Sequence, residues 1–251
     1  QNNKLISGPL PNEYNGDQTS RQQWEAISCG LSRLDNRLPY IACQGNHDLG
    51  HIAAEYRYSM MPDYIYPERN IQFEKTLVST GTNYEGIHTM ENAAFEFENE
   101  TWGKLLVIAF EFAPRDEALD WARQLIESDR FKNHTVIILT HSFLLNNGER
   151  IVNEGYKLTP RNWAQAVWDK LVYPSKNIKL VLCGHTGTPP QMNGSEKVDY
   201  HTTTACRVDP AADGHKVVQM MFNSQSGDGS WNGNGGDCWL RILEFKPDGK
   251  T

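Results

Sequence analysis

Along the chain, stretches with an apolar residue every three or four positions alternate with short, nearly unbroken apolar runs. Trp24, Ile27, Leu31 and Leu34 recur at helical spacing behind Thr19 or Ser20, either of which can cap the first turn. The run Tyr40–Cys43 follows at once, reads as a strand, and stops at Gly45-Asn46-His47-Asp48. Gly50 to Tyr58 is weakly helical, and Pro62 to Asn83 reads mostly as loop. Ala94–Glu98 alternates and Lys104–Phe112 is almost continuously apolar, predicting two strands. Pro114 suits the first turn of a helix that buries Leu119, Trp121, Ala122, Leu125 and Ile126. Thr135–Thr140 reads as a strand buried on both faces and ending at His141. Thr159-Pro160 opens a helix with Trp163, Val167 and Leu171 on one side, and the strand Ile178–Cys183 stops at Gly184-His185.

Beyond Pro190 the helical signal is gone. Tyr200–Arg207, Lys216–Phe222 and Cys238–Phe245 read as strands, the last two separated by the glycine-rich loop Gly227–Gly236. Residues 1–19 carry Gly8, Pro9, Pro11 and Gly16 and read as an irregular arm. Helices and strands in alternation, followed by strands alone, predict a single α/β domain over 1–251 whose second half is largely antiparallel.

With 251 residues, 39% of them hydrophobic and 22% charged, the chain can bury a sizeable core, which excludes a disordered tail, a collagen-like rod or a coiled coil. No apolar run reaches the ~20 residues a membrane-spanning helix needs. The net charge of −7 and scattered basic residues argue against a nucleic-acid surface. A phosphate-bearing ligand would need local neutralisation, for example by metal ions. Five cysteines (Cys29, Cys43, Cys183, Cys206 and Cys238) are too dispersed for a zinc ribbon or a disulfide-stapled miniature fold, and Cys43 and Cys183 read as core residues. Glycosylation-type triplets at Asn99, Asn133 and Asn193 are of a kind common by chance. A secreted or periplasmic location is favoured slightly over a cytoplasmic one.

Three apolar strands end in metal-binding types of side chain: Asn46 and His47 after the first, His141 after the second, His185 after the third. In open α/β sheets ligands bind outside the carboxyl ends of strands, so these ends can share one crevice. A lone histidine after a strand is more often a turn or core residue, Asn46 could be a turn residue, and Asp48 could cap a helix. Their joint order is hard to reconcile with turn chemistry alone. Two imidazoles and an amide oxygen make a partial shell for zinc, iron or manganese.

Gly45-Asn46-His47-Asp48, Thr140-His141 and Gly184-His185-Thr186-Gly187 together resemble the recurring pattern of the calcineurin-like metallophosphoesterases over roughly 21–188. The resemblance implies a layered β-sandwich flanked by helices. It implies hydrolysis of a phosphomonoester or phosphodiester by metal-activated hydroxide, with one or two divalent or trivalent ions of manganese, iron or zinc. Asn46, His141 and His185 would hold the second metal. His47 would protonate the leaving-group oxygen or stabilise the developing charge, and Asp48 would hold its ring.

The family's Asp-x-His and Gly-Asp-x-x-Asp elements do not occur; Gly16-Asp17 is no substitute, because no apolar strand precedes it. They are expected upstream of Gln1, making this chain a piece of a longer protein that lacks the first strands. Gly187 stands where the family carries its final histidine, a ligand of the first metal. The alternative expectation is therefore a degenerate, non-catalytic binding domain. In the glycine-rich loop, Trp231, Asn232 and Asn234 are candidates for substrate contact.

Overall fold

The computed structural model describes residues 19–50, 52–187, 203–224 and 240–246, with the backbone of 191–193 and 196–198. Its strands are β1 (Leu77–Thr82), β2 (His88–Asn99), β3 (Gly103–Ala109), β4 (Thr135–Leu139), β5 (Ile178–Cys183), β6 (Gln191–Asn193), β7 (Glu196–Val198), β8 (Thr203–Pro210) and β9 (Lys216–Asn223). Seven of them form one sheet in the order β1-β2-β3-β4-β5-β9-β8, and β6 pairs with β7 as a separate hairpin. The centre is parallel, with Ile108 beside Ile138 and Ile138 beside Val181 in register. Antiparallel pairs flank it at both ends, β1-β2-β3 on one side and β9-β8 on the other. The expected α/β class is what forms, with the antiparallel pairing divided between the two edges rather than gathered in the second half.

Period-two alternation in β2 sorts the two faces. Ala94 faces the cluster that also holds Leu106, Ile108, Val136, Ile138 and Val181. Ala93 and Phe95 face the opposite way, into a cluster with Trp24, Met61, Ile65 and Phe73. On the first face lies α4 (Asp116–Glu127), which buries Leu119, Ala122 and Ile126 at helical spacing. On the second lie α1 (Ser20–Leu31) and two short helices, α2 (Met61–Tyr64) and α3 (Phe73–Thr76). Thr19 is the α1 cap: its hydroxyl accepts from Gln22 N at 3.2 Å, and Gln22 Oε1 accepts from Thr19 N at 2.7 Å. The docked stripe is narrower than the periodicity suggests. Trp24 stacks on Tyr64 at 5.7 Å, whereas Ile27 is exposed.

Several expectations need correction. Tyr40–Cys43 joins no ladder; Tyr40, Ile41 and Ala42 pack against the Trp24–Phe73 cluster, where Tyr40 meets Phe73 edge-on at 5.2 Å, and Cys43 Sγ lies 3.6 Å from Phe110 O. The stretch expected as loop contains the edge strand β1, whose Leu-Val-Ser-Thr-Gly-Thr sequence lacks an apolar alternation. Gly81 within it fits because a Cβ there would lie 3.0 Å from both Asn92 Cβ and Trp121 Cδ2. Pro114 precedes α4, whose N-cap is Arg115. Thr159-Pro160 does not start a helix either: Asn162 spends its N–H and its amide on Pro114 O and Asp116, and α5 (Ala164–Val167) begins after Trp163 before widening through Trp168–Val172. The described part of Cys238–Phe245 forms no strand, because no neighbouring strand pairs with it there; Trp102 meets Phe245 edge-on at 5.0 Å instead. No helix among the described residues is long and apolar enough to cross a membrane.

Candidate metal centre

The parallel strands β4 and β5 end side by side, and the residues that follow them meet. Gly184 N donates to His141 O at 2.9 Å, tying the two strand ends together. His185 then adopts φ +67°, a left-handed conformation unusual for a side chain of this size, with its carbonyl accepting from Asn223 Nδ2 at 2.9 Å. That turn carries the ring back towards β4, where His185 Nδ1 faces His141 Nε2 at 3.1 Å. Asn46 arrives from the other direction on the turn after Gly45, and its Oδ1 lies 2.9 Å from the same His141 nitrogen. Three donor atoms from three separate segments thus converge.

Asn46 and His185 are each aimed by a partner on the far side. Asn46 Nδ2 donates to Tyr156 Oη at 2.8 Å. His185 Nε2 lies 2.9 Å from Glu154 Oε1, and Ser142 Oγ donates to Glu154 Oε2 at 3.0 Å. Beneath the ligands sits Phe112, fully buried, with its ring edge-on to His141 at 5.7 Å and tilted to His185 at 6.2 Å. Burial pushes the His141 imidazole down to about 3, with the charges of His185 and His47 adding to the shift. A neutral ring carries one proton, so at most one of its nitrogens donates. Asn46 Oδ1 is an acceptor, and His185 Nδ1 is one too once its other nitrogen donates to Glu154. One His141 proton cannot serve both at once; a cation at their meeting point would satisfy all three lone pairs. The donor set, two imidazoles and an amide oxygen, suits zinc, iron(II) or manganese. Two ligands about 2.1 Å from a cation and at right angles stand about 3 Å apart, the spacing found here.

His47 is exposed on the turn, with Nδ1 2.9 Å from Ile52 O. A carbonyl only accepts, so Nδ1 carries the proton and Nε2 is left open. Asp48 does not hold this ring, contrary to expectation. Its Oδ2 accepts from Gly45 N at 2.7 Å, closing the turn that presents Asn46. Burial raises the Asp48 carboxyl above its ordinary value, and the Gly45 N–H pulls it back.

His88, His134 and His215 have partners elsewhere: Thr80 O, Glu96 and Ile178 O respectively. Gly187 brings no side chain to the centre, and among the described residues no group of three His, Cys, Asp or Glu side chains is placed to hold a metal ion; the centre itself offers two histidines and the Asn46 amide. Trp231, Asn232 and Asn234, along with His51 and His201, lie outside the described residues. Glu154, Tyr156, Ser142, Phe112 and the Ile52 carbonyl were not identifiable as site residues from sequence. The first three lie in the irregular connection between β4 and α5, where neither periodicity nor a motif marks them.

A family model for calcineurin-like phosphoesterases matches residues 11–189, most of the chain. The chain belongs to that family, whose members are in general metal-dependent hydrolases of phosphoesters. It is also similar to the uncharacterized protein YvnB of Bacillus subtilis (strain 168), 24% identical over 233 residues. That alignment covers 91% of this chain and 15% of YvnB, so the chain spans well under a fifth of its relative's length.

Proposed function

We propose that the chain is a metal-dependent phosphoesterase domain that cleaves a phosphomonoester or phosphodiester. The approach of Asn46 Oδ1 and His185 Nδ1 to His141 Nε2, at 2.9 and 3.1 Å, carries this reading. These three residues would hold manganese, iron or zinc. Such a cation lowers the pKa of a coordinated water towards neutrality and neutralises charge on the phosphoryl oxygens. His47 stands outside the ligand set. Its Nδ1–H is fixed on Ile52 O, so the protonated ring can give the proton on Nε2 to the departing alcohol oxygen. Phe112, Tyr156 and Trp163 close the floor of the site, their rings edge-on at 5.4 and 6.0 Å, and keep water from the rear of the ligands. Trp231, Asn232 and Asn234 are proposed to contact the substrate beyond the phosphate.

The test is hydrolysis of p-nitrophenyl phosphate and bis-p-nitrophenyl phosphate by the intact protein with added manganese, iron or zinc. Chelation should abolish turnover, and N46A and H185A should each lower it at least about 100-fold. Activity that survives chelator and both substitutions rules the reading out. A second reading, a binding domain that holds a cation without turnover, is favoured by Gly187, which leaves the family's other metal one ligand short. One bound ion per chain with no hydrolysis of either substrate would select it.

A further inference from the structure

We propose that Glu154 and Tyr156 are positioning residues that hold two ligands with their lone pairs turned to the centre; this rests on the metal-dependent reading above. Glu154 has a side chain only 12% exposed, and its Oε1 stands 2.9 Å from His185 Nε2. A carboxylate accepts and does not donate, so it draws the ring proton to Nε2 and leaves Nδ1 bare, facing His141 Nε2 at 3.1 Å. The carboxylate is itself steadied by the hydroxyl of Ser142, 3.0 Å from Oε2. Without this partner the imidazole could take the other tautomer and turn an N–H towards the cation.

Tyr156 does the equivalent for the amide. Asn46 Nδ2 donates to Tyr156 Oη at 2.8 Å, which holds the amide with its carbonyl oxygen towards His141. A half-turn of the amide would put an NH2 group where the lone pair is required.

Both residues come from the stretch of chain that follows the ligand His141. That stretch folds back on itself through Ile151 N to Phe143 O at 3.1 Å and Leu145 N to Glu149 O at 2.8 Å. It is then tied to the segment that follows the His47-bearing turn by Leu158 N to Ala54 O at 3.0 Å. One excursion of the backbone thus delivers a ligand and the outer partners of the other two. Such partners typically carry 10- to 100-fold in metal affinity, so their loss should show in binding before any substrate is involved.

The experiment is titration of the intact, metal-free protein with Co(II) alone, followed by calorimetry and by the visible absorption of the bound ion. E154Q and Y156F should each weaken binding about 10-fold, and E154A about 100-fold, with a changed Co(II) spectrum. The metal-free melting temperature should stay at the wild-type value, and E154D should recover part of the affinity. Wild-type affinity and spectrum in E154Q and Y156F would overturn the positioning role while leaving the metal reading standing. Weaker binding that tracks a lower metal-free melting temperature, with no recovery in E154D, would also overturn it by assigning both residues to structure. Failure of the wild type to bind Co(II) would take down the metal reading and this proposal together.

Discussion

A Cβ placed on Gly45 would lie 3.1 Å from Cε1 of His141 and 3.4 Å from its Nε2. The backbone at Gly45 is extended, with φ −100° and ψ 171°, so any residue could adopt it. What excludes a side chain there is the ligand ring. Alanine at this position should therefore leave the fold intact and displace the His141 imidazole by a few tenths of an ångström. Misplacement of about 1 Å can cost about 100-fold in rate, so G45A should lose roughly 10-fold in turnover and in metal affinity. An unchanged melting temperature with that loss is the expected pair of results. A large drop in stability would instead mean that the ring cannot yield.

His47 offers a cleaner separation of chemistry from metal binding. It is exposed and outside the ligand set, and its only role in the proposed reaction is the proton at Nε2. H47A should lower turnover of alkyl phosphoesters by about 100- to 1,000-fold, the usual scale for a lost general acid. Nitrophenyl esters, whose leaving group departs without a proton, should suffer far less. The Co(II) dissociation constant should not move. Equal losses on both substrate types would remove His47 from the proton-donor role.

The same contrast explains what could be read from the sequence. β4 and β5 are buried on both faces as central parallel strands, and such strands are written as unbroken apolar runs; His141 and His185 stood out because each follows one. Asn46 is marked by its motif, although the apolar run before it forms no strand. The edge strand β1 left no signal, since Leu77, Val78, Ser79, Thr80 and Gly81 show neither alternation nor a run. Glu154 and Tyr156 were beyond reach for a different reason. Tyr156 meets Asn46 across 110 positions of sequence, and only the course of an irregular connection brings the two together. Asp48 serves the Gly45 N–H of its own turn rather than the His47 ring, a backbone demand that the motif does not display.

Glu91 gives the chain a pH-dependent term away from the metal ligands. It is buried, and burial raises its carboxyl above the ordinary value, against the pull of Thr89, Gln44 and Asn83; the nearby Glu111 raises it further. Gln44 Nε2 donates to Oε1 at 2.8 Å and Thr89 Oγ1 to Oε2 at 2.9 Å. A folded-state pKa above the unfolded one means the folded chain holds this proton more tightly. The stabilising contribution is then full below about pH 4 and is lost as pH rises through the folded value. E91Q, neutral at every pH and similar in shape, should gain stability relative to wild type as pH rises from about 4 to 8. Urea denaturation of both proteins across that range measures the difference. A gap that stays constant or closes with rising pH would show that the charge of Glu91 is compensated, with Arg57 a candidate.

Phe112 couples packing directly to the site. It is completely buried and its ring contacts His141, His185, Tyr156 and Trp163, two ligands and two wall residues at once. F112A should cost about 3–5 kcal/mol in unfolding free energy, and F112L about 1–2 kcal/mol. The control is Phe95, equally buried but on the α1 face of the sheet and packed against Phe73. F95L should lower stability by a similar amount and leave Co(II) affinity alone. F112L should weaken Co(II) binding as well, because the imidazoles lose the surface that fixes their tilt. If both leucine variants bind Co(II) equally well, Phe112 fills space only, and the ligand geometry is held by hydrogen bonds without help from the aromatic floor.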